Sequence, residues 1–363
     1  MKKRFLLNWV YYNPVGHAVE ALKVAKGYHL ANPDFEIHLA LNSRTAYELA
    51  DVCPWIEQVY PVDTLEVEKL GLEASSITQI PSEWDYVVVD ERTVNSSLPF
   101  SSDLRAFHHR ANEYFQARQW KGHKNQQSPD GYPKYVPDAK IDLIPPEEAQ
   151  TFVKQYEHSG PKFSVMLAGS SLESIYPKIE WWIHLFEALS NELPESLFFV
   201  TGVKPDERRR TATLAYTSED LERLFTECPQ AVDCYDTGLW NQLALIKSSD
   251  VFIAPHTGFA FLAPCVGTPW LAVSGMRWPD YMFNQTPFYS VLPDCRSYPC
   301  WQTMKESCQK RITENQPVLC METEQLDLKM PELIHGARLL RDHGFTYKKA
   351  VHLHREKNHS VRY

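Results

Sequence analysis

Strand-like and helix-like stretches alternate along all 363 residues of this chain, and that alternation predicts an α/β protein built on parallel sheets. Two further observations sharpen the prediction to two Rossmann-like, doubly wound domains facing a cleft. The alternation is interrupted from Pro137 to Pro146 and then begins afresh. The chain is also longer than a single hydrophobic core usually serves. The domains read as 1–145, 146–330, and a closing helix with a flexible tail over 331–363.

In the first half, Phe5 to Tyr11 is an apolar strand, and Val19 to Leu30 carries apolar residues at helical spacing. Phe35 to Leu41 is a second strand, with Ser43 placed to cap a helix running through Ala50. Ile56 to Val62 and Asp85 to Asp90 continue the strands, the latter through Val87-Val88-Val89. Asp103 to Trp120 reads as helix, and Lys121 to Tyr135 is irregular, with Gly122, Pro129, Gly131 and Pro133 close together. In the second half, Glu147 starts a helix, and strands fall at Phe163 to Ala168, Leu197 to Thr201 and Ala231 to Tyr235. The helices between and after them are Glu180 to Leu193, Pro205 to Leu224 and Trp240 to Lys247. Pro331 to Arg341 closes the fold, and the histidine-bearing tail beyond it reads as a frayed, solvated end.

Composition excludes several classes. A formal charge of -9 argues against a broad nucleic-acid surface, which needs a basic stripe. No apolar run is long enough to span a bilayer. The opening Met-Lys-Lys-Arg-Phe-Leu-Leu-Asn-Trp imitates a secretory signal, but its apolar part is short and lacks a small-residue cleavage site. It reads as the first strand of a cytoplasmic protein. Of the eight cysteines, Cys53, Cys228, Cys234 and Cys265 are scattered, as small apolar residues are. Cys295, Cys300, Cys308 and Cys320 fall together in a polar, Pro-containing loop. In a reducing compartment such a cluster points to a metal sooner than to disulfides, although Cys-x4-Cys-x7-Cys-x11-Cys matches no zinc ribbon.

The stretch from Asp250 to Gly275 reads strand, sharp turn, short helix, strand. His256-Thr257-Gly258 occupies the corner between the buried run Val251 to Ala254 and the helix. Backbone N–H groups, the positive end of a helix dipole, a Thr hydroxyl and a Gly without a Cβ suit a phosphate or diphosphate there. An ordinary strand-to-helix turn has the same pattern.

The second half resembles glycosyltransferase family nine, the ADP-heptose:lipopolysaccharide heptosyltransferases. Leu167-Ala168-Gly169-Ser170-Ser171 with Pro177-Lys178-Ile179-Glu180-Trp181 is similar to the family's small-residue loop and Lys-Arg-Trp signature. Phe199-Val200-Thr201-Gly202 with Glu207 resembles its strand-Gly-Gly-then-Glu element. His256-Thr257-Gly258 through Thr268-Pro269 resembles its Asp-Ser/Thr-Gly to Leu-Gly-Thr-Pro block. Pro299-Cys300, Cys308 and Cys320-Met321 follow its C-terminal cysteines. In the first half, Val15-Gly16-His17-Ala18 stands for Ile-Gly-Asp-Val, and Cys53-Pro54-Trp55-Ile56-Glu57-Gln58-Val59 resembles Pro-x-Ile-Asp-x-Val. The resemblance covers most of the chain. It departs where the family's base Asp is His17, its Asp before Ser/Thr-Gly is His256, and its following His is Phe261.

The resemblance implies a GT-B fold and inverting transfer of a heptose or other hexose-like sugar from a nucleotide-diphosphate donor to an acceptor hydroxyl. Such transfer needs a base, for which a histidine titrating near neutrality is suited, and donors on the departing diphosphate. His17 follows Gly16 after the first strand, at the sheet edge where doubly wound folds bind ligands. The donor side takes Ser170, Ser171, Lys178, Thr201, Gly202, Glu207, His256, Thr257 and Gly258, with Glu207 on the ribose. The acceptor side takes Asn13, Glu20, His108, His109 and Arg110. Each has an ordinary structural reading beside it: a cap, a packed ring or a solvated charge.

No paired-aspartate metal motif is evident, so catalysis is expected to need no cofactor, with the nucleotide-sugar as substrate. The four-cysteine loop at 295–320 resembles that of the heptosyltransferases that modify bacterial autotransporter proteins, which implies a structural iron or zinc on Cys295, Cys300, Cys308 and Cys320. The acceptor, whether glycan, protein or small molecule, is open, and so is the oligomeric state, a homo-oligomer included. Alternatives are a non-catalytic binding protein of the same fold and a sugar-nucleotide epimerase.

Overall fold

A computed structural model describes residues 2–12, 14–65, 76–90, 102–122, 131–169, 172–204, 212–213, 215–273, 280–295 and 306–360. The chain divides into two compact units, Met1–Leu143 and Ile144–Tyr363.

The first unit is a five-stranded sheet of β1 (Lys3–Asn8), β2 (Phe35–Asn42), β3 (Gln58–Val62), β4 (Glu83–Asp90) and β5 (Gln116–Gly122). The strands lie in the order β3-β2-β1-β4-β5, and every pair is parallel. Helix α1 (Val15–Ala31) follows β1, and helix α2 (Ser102–Tyr114) links β4 to β5. Alternation along β1 sends its residues to opposite layers. Leu6 and Val10 join Val87, Val89, Leu104, Phe107 and Ala111 in a core beneath α2. Trp9 turns the other way, and its indole N–H donates to Glu20 of α1. Both faces are therefore covered, which is why the strands read as continuous apolar runs.

The second unit is a six-stranded parallel sheet in the order β11-β10-β9-β6-β7-β8. In chain order its strands are β6 (Lys162–Met166), β7 (Leu197–Gly202), β8 (Ala231–Tyr235), β9 (Val251–Pro255), β10 (Trp270–Val273) and β11 (Phe288–Val291). The helices α3 (Glu147–Val153), α4 (Ile179–Glu192), α5 (Ser218–Glu227) and α6 (Leu239–Ser248) connect and cover them. Adjacent residues of β7 show both layers. Phe198 stacks on Phe186 of α4 at 4.4 Å, whereas Phe199 joins Cys234, Leu245 and Phe152 on the opposite face. Each fully buried ring contributes about 1.5–3 kcal/mol. Numbered from its first strand, the sheet runs 3-2-1-4-5-6, so the direction of winding reverses between β6 and β9.

Several sequence expectations need correction. Gln116–Gly122 is strand β5, although the sequence reads as helix up to Trp120 and as irregular from Lys121; the helix stops at Tyr114 and the open edge of β4 offers a parallel ladder. Tyr47–Val52 is a 3-10 helix whose N-cap position is Ala46, with no side-chain cap, so Ser43 does not cap it. The helix expected from Pro205 begins at Ser218, where Thr217 and Asp220 form a capping box; residues 205–211 lie outside the described set. After α10 (Met330–Arg341; the short helices α7, Leu262–Cys265, α8, Glu306–Thr313, and α9, Thr323–Asp327, precede it), the tail is not frayed. Tyr347–Ser360 form helix α11, which buries Ala350 and His354 and lays the Lys357 ammonium 3.7 Å from the Tyr289 ring centroid.

Candidate functional site

The winding reversal between β6 and β9 brings two loops together at the carboxyl edge of the second sheet. The loop after β6 carries Gly169, and the turn after β9 carries Thr257. A Cβ built on Gly169 would stand 3.1 Å from the Thr257 Cβ and 2.8 Å from the Tyr176 hydroxyl. Only glycine lets the two loops approach this closely. The same loop then starts α4, a 14-residue helix whose N-cap is Lys178. Lys178 is exposed and makes no ion pair among the described residues.

The start of α4 is held from both sides. Trp181 and Trp182 are fully buried. The Trp182 indole donates to the Tyr216 hydroxyl at 2.8 Å, and that hydroxyl donates to the Pro177 carbonyl at 2.6 Å. Burial pushes the Tyr216 phenol well above its ordinary range, so it stays protonated and able to donate. The helix start is thereby anchored at Pro177, and Tyr176, two residues before Lys178, reaches the Gly169–Thr257 corner with its hydroxyl. That arrangement is chemically suited to an anion.

The turn after β9 is built differently from the sequence expectation. Its helical part is a single 3-10 turn, Phe259–Phe261, followed by the four-residue α7, because Pro264 and Gly267 cut it short. So brief a helix sums few peptide dipoles. The Thr257 hydroxyl accepts the Ala260 N–H at 3.1 Å, capping the turn, and lies 3.6 Å from the Met166 sulfur. Gly258 has an ordinary right-handed helical backbone. Burial lowers the His256 imidazole to about 4 and its ring packs edge-on against Phe261, so it is neutral near pH 7 and supplies no cation.

Two further donor-side candidates have structural employment. The Thr201 hydroxyl donates to the Val165 carbonyl at 3.2 Å and is fully buried. Gly202 lies under Tyr235, whose ring a Cβ there would meet at 2.4 Å. Ser170, Ser171 and Glu207 lie outside the described residues.

In the first unit the winding reverses between β1 and β4. His17 lies in the first turn of α1, its side chain 26% exposed, with its ring 4.4 Å from that of Tyr11. Glu20, one turn further on, is 7% exposed, and its Oε2 stands 3.9 Å from His17 Nδ1. His108 is not on an acceptor surface. It is 2% exposed, its Nε2 donates to the Val10 carbonyl at 2.7 Å, and burial lowers it to about 4. His109 is exposed and pairs with Glu113 at 3.5 Å, Arg110 is half-buried, and Asn13 lies outside the described residues. Sequence reasoning missed Asn8, the last residue of β1, whose two amide heteroatoms are buried without a hydrogen-bond partner among the described residues. It also missed the Tyr216 clamp; nothing in the spacing of Trp182 and Tyr216 signals their contact.

Of the four-cysteine set, Cys295 and Cys320 line one cavity of about 250 Å³ at the carboxyl ends of β10 and β11, with Val273, Val291, Lys329 and Leu333. Cys308 is buried on α8 and is not among the lining residues; Cys300 lies outside the described set. Among the described residues no three His, Cys, Asp or Glu groups gather closely enough to hold a metal. Two thiols together, without the others, do not make a tetrahedral cage.

Two doubly wound parallel sheets with interleaved helices define an α/β protein of the GT-B class. Solved structures of that class match the chain over nearly its whole length. A glycosyl transferase of family 9 from Veillonella parvula superposes with a TM-score of 0.60 at 13% identity, covering 94% of this chain and 98% of that one. The E. coli heptosyltransferase WaaC with ADP gives 0.56 at 13% identity, covering 92% and 99%. E. coli ADP-heptose lps heptosyltransferase II gives 0.52 at 12%, covering 92% and 99%. At these identities the likeness is one of fold. No family model matches the chain, and no curated protein matches it in sequence. Among the described residues no helix is long and apolar enough to cross a membrane.

Proposed function

We propose that this chain is a glycosyltransferase that moves a sugar from a nucleotide-diphosphate donor to an acceptor hydroxyl with inversion. The observation that carries the reading is the Gly169–Thr257 approach at the winding reversal of the second sheet, where the hydroxyl of Tyr176, two residues before the Lys178 cap of α4, also reaches. A diphosphate there would meet the Lys178 ammonium and backbone N–H groups, which offset the charge that builds on it as the glycosidic bond breaks. Ser170, Ser171 and Glu207 would complete the donor side, with Glu207 on the ribose. His17, at the equivalent edge of the first sheet, would take the acceptor's proton. Support comes also from the solved structures of the same fold, two of which are heptosyltransferases. A structural iron or zinc would draw on Cys295 and Cys320 and would need Cys300 and Cys308 beside them; no step of the transfer is assigned to it.

A panel of nucleotide-sugars in a thermal-shift assay tests the donor assignment, since a ligand that binds only the folded chain raises its melting temperature by mass action. Lys178→Ala should abolish the shift. His17→Ala should keep the shift and lose transfer, by roughly 10²–10⁴-fold if it is the base. A shift without turnover would instead mark a binding protein, and donor isomerisation without acceptor would mark an epimerase. No shift with any nucleotide-sugar sinks the reading.

A further inference from the structure

Glu20 is a carboxylate in an expensive position, 7% exposed on the inner face of α1. Its Oε2 accepts the Trp9 indole N–H at 3.3 Å and stands 3.9 Å from Nδ1 of His17, one helical turn earlier. The His17 ring also packs edge-on against Tyr11, with ring centroids 4.4 Å apart. The two imidazole nitrogens lie on opposite sides of the ring, so a Nδ1 turned toward the carboxylate leaves Nε2 turned away from it. Among the described residues, Tyr135 on the segment that covers α1 feels the Glu20 charge, and Lys23, one turn further along α1, donates to the Ala139 carbonyl.

We propose that Glu20 is the positioning residue for His17. Its carboxylate selects the tautomer with the proton on Nδ1, holds Nε2 ready as the acceptor of a proton, and stabilises the imidazolium that results. The inference rests on the reading of His17 as base. In that reaction the acceptor O–H proton passes to His17 Nε2, and the oxygen's electron pair forms the bond to the anomeric carbon. The bond from that carbon to the diphosphate oxygen breaks, and its electrons leave with the diphosphate. At 3.9 Å the contact is longer than a hydrogen bond, so the carboxylate acts on the ring through its charge, which favours the proton on the nearer nitrogen. Trp9, gripping the same oxygen, keeps the carboxylate from turning away.

The test compares wild-type full-length protein with Glu20→Gln, which keeps the size of the side chain and an acceptor for Trp9, and with Glu20→Asp. Nitrogen-15 spectra of histidine-labelled protein, with the His17 signals assigned by their loss in His17→Ala, read the tautomer without any substrate. The expected result is a His17 biased to Nδ1–H in wild type, a bias lost in Glu20→Gln and partly kept in Glu20→Asp. With a donor and acceptor in hand, kcat falls about 10–100-fold in Glu20→Gln with KM changed less than about twofold. The same tautomer ratio in wild type and Glu20→Gln overturns the proposal, whatever the activity. Loss of transfer in His17→Ala is a separate result, so failure of the base reading and failure of the Glu20 assignment are distinguishable.

Discussion

His108 shows how a single buried side chain links a residue to the pH dependence of the whole protein. Its Nε2–H satisfies the Val10 carbonyl at the end of β1, and its ring is enclosed beneath the first sheet. Burial penalises the charged form and lowers its titration from 6.5 to about 4. The unfolded chain therefore takes up a proton below pH 6.5 that the folded chain refuses until about pH 4. Stability is fully present above 6.5 and falls as pH drops through that window, by up to about 1.4 kcal/mol per pH unit from this residue. Urea denaturation at pH 7.5 and 5.0 should show the loss. His108→Gln, which keeps an N–H donor for Val10, should narrow the difference between the two pH values. An unchanged difference would show that His108 does not set the slope.

At the scale of elements, the seat of the Tyr235 ring across the ends of strands β7 and β8 depends on one missing side chain. Tyr235, at the end of β8, lays its ring over Gly202, at the end of β7, and the Gly202 carbonyl accepts both the Gln242 amide and the Asp236 N–H. A methyl group on Gly202 would have to displace a ring whose position is shared with Lys204 and the strand register. Gly202→Ala should cost about 1–3 kcal/mol by overpacking. Adding Tyr235→Leu should recover part of that loss, and a double-mutant cycle measures the coupling. Additive effects of the two substitutions would place the strain elsewhere. The glycine was legible in the sequence as a special position, but the resemblance assigned it to a ligand. Its neighbour Tyr235 lies 33 positions away in the chain, and no local pattern connects them.

For the whole molecule, each unit has its own parallel sheet with helices on both faces, its own apolar core and its own winding reversal. The division between Leu143 and Ile144 falls in the Pro- and charge-rich stretch that interrupts the sequence pattern. If the donor is bound mainly by the second unit, residues 144–363 expressed alone should unfold cooperatively and keep the donor-induced rise in melting temperature. Loss of the rise in this half, with its circular dichroism intact, would assign part of the donor site to residues 1–143. The elements that escaped sequence reading at this scale are those whose stability comes from the sheet edge or the surface. Strand β5 has no apolar alternation and forms because β4 needs a partner. Helix α11 reads as a polar tail and folds because Tyr347, His354 and the Lys357 ammonium find Phe288 and Tyr289 of β11 to pack on.

By itself the sequence determined the α/β class, the doubling of the fold, most strand positions and the corner at His256-Thr257-Gly258, because those follow from hydrophobic period, chain length and turn chemistry, which are local. Only the tertiary structure decided what the individual side chains do. It kept His256 neutral, pinned His108 to a strand end, set Gly169 against Thr257 and brought the Trp9 indole onto Glu20. Those outcomes depend on burial and on which distant residues meet. Both are fixed by packing the sheets and helices together and leave no periodic trace along the chain.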